Sequence, residues 1–101
     1  MTATNFLEET LEALREYDKT PTDIHWIGTL NGNAVMSWPM FKEHADFEYN
    51  DDFRGVNSQL VIVGGDWWME RDYDDNLGDS WAFRTMPKMD GKVVGIFNLK
   101  G

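Results

Sequence analysis

The sequence predicts an α+β domain: an antiparallel five- or six-stranded sheet, mostly meander, with an N-terminal helix packed on one face and a short second helix. Three observations predict it. An apolar stripe near the N-terminus recurs at three- and four-residue steps. Short runs rich in β-branched and aromatic residues follow, separated by turns of Asn, Asp and Gly. The 101 residues suffice for one modest core and not for two, so residues 1–101 are read as a single domain.

The first helix is set by Asn5 and Glu8, which have capping-box spacing, with Thr4 as a second cap candidate. Phe6, Leu7, Leu11, Leu14 and Tyr17 form its apolar face. Glu8 and Glu9 suit the helix dipole, whereas Glu12 and Glu16 repel one another four residues apart. Pro21 cannot continue the helix, which is expected to end near Asp18 and to act as a lid on the sheet.

A hairpin follows, with strands over Ile24 to Leu30 and Ala34 to Ser37 around the turn Asn31-Gly32-Asn33. His25, Ile27 and Thr29 face opposite to Trp26 and Gly28. The second helix is expected over Trp38 to Ala45, since Pro39 is tolerated in a first turn and Phe41 and Ala45 share a face. Residues 46–57 show no period and read as an acidic loop with aromatics.

Leu60 to Val63 reads as a central strand covered on both faces. After Gly64-Gly65-Asp66, period-two counting places Trp67, Met69, Arg71 and Tyr73 on one face and Trp68, Glu70 and Asp72 on the other. Asp74 to Asp79 turns the chain, and Ser80 to Thr85 is a strand with Trp81 and Phe83 opposite Ala82 and Arg84. Pro87 ends it, Met89-Asp90-Gly91 turns again, and Val93 to Leu99 is expected as the last strand.

Charge excludes more than it assigns. Eighteen acids against nine bases give a net −9, a field that repels nucleic-acid backbones and anionic membranes and favours basic partners. Residues 43–79 hold eleven of the acids and only Arg54 and Arg71 as bases, so the anions crowd into the middle of the chain. The absence of cysteine removes disulfides and thiolate chemistry. No apolar run approaches the roughly 20 residues of a membrane helix. The opening residues lack the features of a secretory signal, so a cytoplasmic location is expected.

Few residues combine into a chemistry. Asp72, Asp74 and Asn76 alternate like calcium ligands, yet counting from Asp72 puts Leu77 and Phe83 where an EF-hand needs Gly and Glu. His25 and His44 have no metal-ligand spacing, and no serine sits in a nucleophile motif. Glu70 and Asp72 beside Trp68 imitate a glycosidase pair, but so short a chain rarely builds the cleft and its supporting shell. No cofactor or metal is expected, and the protein is read as non-enzymatic. Because neighbours on a strand point opposite ways, Trp67 and Trp68 cannot enter one core. Trp68 is therefore either covered by the second helix or the acidic loop, or exposed beside Glu70 and Asp72 as a candidate anchor for a partner rich in Arg.

The pattern Trp38-x-x-Phe41-x-x-x-Ala45-Asp46-Phe47-x-Tyr49, Val61-x-Val63-Gly64-x-x-Trp67-Trp68-x-Glu70-Arg71, Tyr73-Asp74 and Trp81-x-Phe83 resembles small acidic proteins encoded by phages and prophages of Gram-positive bacteria. The resemblance spans Trp38 to Pro87, departs in the interval between Arg71 and Trp81, and is most specific in the Trp-Trp-x-Glu-Arg block. Those relatives lack a settled activity, so it implies a genetic setting and no catalytic residues. Small phage proteins of this kind resemble inhibitors of host defence, including anti-CRISPR and anti-restriction proteins. The expectation is a nucleic-acid mimic that occupies the cationic groove of a host nucleic-acid-handling protein. Glu48, Asp51, Asp52, Glu70, Asp72, Asp74 and Asp75 are expected as one exposed charge face, with Trp68 and Tyr49 as apolar anchors. A monomer or homodimer fits that role. The alternatives are a virion, assembly or other self-associating protein, and a small carbohydrate-binding module.

Overall fold

The computed structural model describes residues 4–49, 56–74, 78–87 and 100. Helix α1 (Phe6–Glu16) begins where the cap residue requires: Asn5 is extended at φ −78°, and its side-chain oxygen accepts the Glu8 N–H at 3.0 Å. Thr4 is left outside the helix. The far end comes two residues earlier than Pro21 alone implies. Asp18 takes a left-handed φ of 58°, while the N–H groups of Asp18 and Lys19 return to the carbonyls of Arg15 and Leu14 at 3.1 and 2.8 Å. This double closure is a Schellman ending with aspartate in place of the usual glycine. A 3-10 turn over Pro21–Asp23 leads into the sheet.

Among the described residues, β2 (Trp26–Thr29), β3 (Val35–Met36), β5 (Leu60–Val63), β6 (Trp67–Asp74) and β7 (Gly78–Thr85) form a five-stranded antiparallel sheet in the order β3-β2-β5-β6-β7. Among the described residues three neighbouring pairs are sequential hairpins, and β2 against β5 is the one long-range pairing in this sheet. Strands β2 and β3 are shorter than the alternation implies, and β7 begins earlier, at Gly78. The α+β architecture with its N-terminal helix is that of the sequence reading.

One correction lies in the acidic segment. Within residues 46–57, β4 (Glu48–Tyr49) pairs with β1 (Thr4–Asn5) in a separate two-stranded sheet. Two residues cannot display a period, and their partner lies over 40 positions upstream, so neither strand is visible locally. Helix α2 (Trp38–His44) occupies the interval before β4, capped by Ser37, whose hydroxyl accepts the Met40 N–H at 3.4 Å. The expected last strand at 93–99, the turn at 89–91 and residues 50–55 and 75–77 lie outside the described residues.

The sheet sorts its side chains by parity. Ile27, Ile62, Met69 and Phe83 stand in one cross-strand row, and the first three are fully buried. Each of these aliphatic or thioether side chains contributes on the order of 2 kcal/mol by leaving water. Helix α1 covers this face. Leu14 enters the core, Tyr17 stacks on Phe83 at 4.1 Å between centroids, and Phe83 stacks in turn on Trp67 at 5.5 Å. Phe41 and Ala45 of the α2 segment join the same cluster. On β5, Val61 and Ile62 point opposite ways and both are buried, as expected of a central strand.

Gly28 lets the β2–β3 hairpin close. A Cβ there would run into the Ala34 carbonyl oxygen, a backbone atom that cannot rotate away, whereas one at Gly65 would meet only the His25 ring at ordinary contact distance. Gly28→Ala should therefore cost about 2 kcal/mol or more in denaturant unfolding, and Gly65→Ala under about 1 kcal/mol.

Candidate functional site

Parity places a cation where an apolar side chain is expected. Arg71 follows Trp67 and Met69 on the core face of β6, and its side chain is 1% exposed. The guanidinium is boxed by rings: its carbon lies 4.8 Å from the centroid of Trp81, 5.2 Å from Phe6 and 5.9 Å from Tyr49. One terminal nitrogen donates to Glu9 Oε1 at 3.3 Å and the other to the Tyr49 hydroxyl at 3.1 Å. That hydroxyl donates to Glu9, 2.5 and 2.8 Å from its two oxygens. Beside this triad, the fully buried Thr10 accepts the Trp81 indole N–H at 2.9 Å and donates to the Phe6 carbonyl at 2.8 Å.

Charge, hydroxyl and aromatic faces thus converge across α1, β4, β6 and β7. Burial is the main cause that raises the Tyr49 pKa from 10.0 to about 12; the Glu9 carboxylate adds to it and Arg71 opposes it. The sequence reading placed Arg71 on this face but did not connect it to Glu9 or Tyr49. The available signal was the charged residue itself, alternating with Trp67 and Met69. Tyr49, expected as an exposed anchor, is instead 7% exposed and committed to this cluster, because its β4 position turns it toward Phe6 and Arg71.

The opposite face of β6 presents Trp68, Glu70 and Asp72 as the parity count requires. Trp68 is half-buried in a row with Trp26, Val63 and Arg84. Its indole N–H donates to Glu70 Oε2 at 3.2 Å, and Arg84 Nε donates to Glu70 Oε1 at 3.4 Å. The Glu70–Arg84 pair is open to water, with side-chain exposures of 31% and 54%, and so is worth at most about 1 kcal/mol. Asp72 is exposed, about 6.6 Å along the strand from Glu70 by strand geometry.

The residues of the expected charge face come from two sheets. Glu48 is exposed on β4 of the small sheet, whereas Glu70 and Asp72 lie on the outer face of β6 in the large one. Asp74 ends β6, and Asp51, Asp52 and Asp75 lie outside the described residues. Among the described residues no three His, Asp or Glu side chains converge as metal ligands. Asp72 and Asp74 belong to a strand rather than a cation-binding loop. No helix of the described residues is long and apolar enough to cross a membrane. No protein-family model, curated protein or solved structure matches the chain.

The raised Tyr49 pKa fixes a pH dependence. The unfolded chain releases this proton near pH 10 and the folded protein near 12, so the unfolded state binds fewer protons between them. Stability from this group is complete below pH 10, falls as the pH rises toward 12 and levels off above it. In an ultraviolet titration of the folded protein, the ionisation missing from Tyr49→Phe should be the one with its midpoint near 12.

Proposed function

We propose that this protein is a non-enzymatic binding domain that engages a basic protein through the outer face of β6. The observation that carries the reading is the Trp68–Glu70–Arg84 constellation. Glu70 already receives a guanidinium-type donor at 3.4 Å, and it does so in a solvent-exposed pair weak enough to be exchanged. An incoming arginine can displace Arg84, take both Glu70 oxygens and lie against the Trp68 ring. Asp72 is placed for the next basic side chain of an extended or helical partner.

Long-range electrostatics favour the same partner. The chain carries −9, and one of its nine basic residues, Arg71, is enclosed with Glu9 and unavailable to compensate surface anions. Many exposed carboxylates, among them Glu8, Glu16, Glu43, Glu48, Asp66 and Asp72, leave an anionic surface that speeds encounter with cations. The finer reading is an inhibitor of a host nucleic-acid-handling defence protein, filling the groove that normally takes phosphates. It rests on the resemblance to phage proteins together with this charge.

An arginine-rich peptide and its lysine counterpart test the recognition chemistry. The arginine peptide should bind more tightly, and the combined Glu70→Lys and Asp72→Lys change should weaken it by about tenfold or more. Reversing Glu12 and Glu16 on α1 leaves the same net charge and should have a smaller effect. Equal losses from the two reversals, measured by calorimetry at matched salt, would reduce the reading to nonspecific attraction.

A further inference from the structure

We propose a second binding site, on the helix side of the sheet, for one small uncharged aromatic molecule carrying a single N–H or O–H group. Between α1, α2, β3 and the start of β5 lies an open pocket of about 230 Å³. Phe6, Phe41, Ala45 and Val56 line it and are themselves buried, so much of its wall is held by the core. His44 and Asn57 supply its polar lining, and both are exposed.

Three properties select the ligand class. Among the described residues no Asp, Glu, Lys or Arg lines the space, and an ion held against these residues would lose hydration without gaining a counter-charge from them. The three phenylalanines of the lining, Phe6, Phe41 and Phe47, offer ring faces and edges to a flat aromatic guest. Size sets the third limit. An apolar cavity of about 150 Å³ stays dry and admits benzene, and a space half as large again suits a fused bicyclic ring. His44 and Asn57 provide acceptors at which the ligand's one donor can orient.

This site is independent of the outer sheet face, so its failure would leave the arginine-recognition reading untouched. Titrating indole into the full chain while recording amide nuclear magnetic resonance spectra provides the test. Saturable shifts are expected at Phe41, His44, Ala45 and Val56, and an anionic indolecarboxylate should bind about tenfold or more weakly. Ala45→Leu projects a larger side chain into the pocket and should abolish those shifts. If that variant does not fold, Met36→Phe fills the same space from β3 and is read in the same way. The proposal is overturned if the unaltered protein shows no saturable shifts, if the shifts gather at Trp68 and Asp72, or if a folded pocket-filling variant binds indole as before.

Discussion

A guanidinium ion held inside an aromatic core constrains everything around it. Left unpaired, a buried charge costs several kcal/mol, so the fold must bring Arg71 an anion, hydrogen-bond acceptors and polarisable ring faces together. Glu9 comes from α1, Tyr49 from β4, Phe6 from the first turn of α1 and Trp81 from β7. Their convergence specifies where the helix lies on the sheet and why the residues before it pair with β4. Replacing the cluster by apolar side chains of similar volume need not destabilise the domain. Its clearest contribution is to the register of the layers, since a shifted helix would leave the charge without its carboxylate.

The same strand delivers the opposite surface. Alternation on β6 sends Trp67, Met69 and Arg71 inward and Trp68, Glu70 and Asp72 outward, so enclosing one arginine aligns an indole and two carboxylates on the far side. The contrast between the two Glu–Arg contacts is one of environment. Glu9 meets an almost wholly buried arginine and helps to hold the layers, whereas Glu70 meets Arg84 at the water interface and remains exchangeable. Similar functional groups thus serve architecture on one face of the strand and recognition on the other.

Much of this was legible in the sequence, for stated reasons. The α1 cap, the α2 apolar pair, the central β5 strand and the parity of β6 and β7 depend on local spacing, and the structure retains each of them. What could not be read depends on contacts between distant positions. Tyr49 lies in a segment without periodicity, so its burial follows only once Thr4 pairs with it. The convergence of Glu9, Tyr49 and Arg71 spans 62 residues, and neither charge balance nor hydrophobic pattern encodes it. Of the expected charge face, Glu48 belongs to β4 in the small sheet and Glu70 and Asp72 to β6 in the large one, a division between two sheets that local spacing does not encode. The left-handed end of α1 was hidden because Asp18 occupies a position normally signalled by glycine.

The clamp that ties α1 to β6 is tested most directly by a double-mutant cycle of Glu9→Gln and Arg71→Met, with stability measured by denaturant unfolding. Each single change should be strongly destabilising, Arg71→Met by stranding the Glu9 carboxylate and Glu9→Gln by depriving the guanidinium of its counter-ion, at a cost of about 3 kcal/mol apiece. The double change should fall short of their sum by about 2 kcal/mol. Losses that add to within about 0.5 kcal/mol would mean that the two residues act independently and that the helix is held by apolar packing alone.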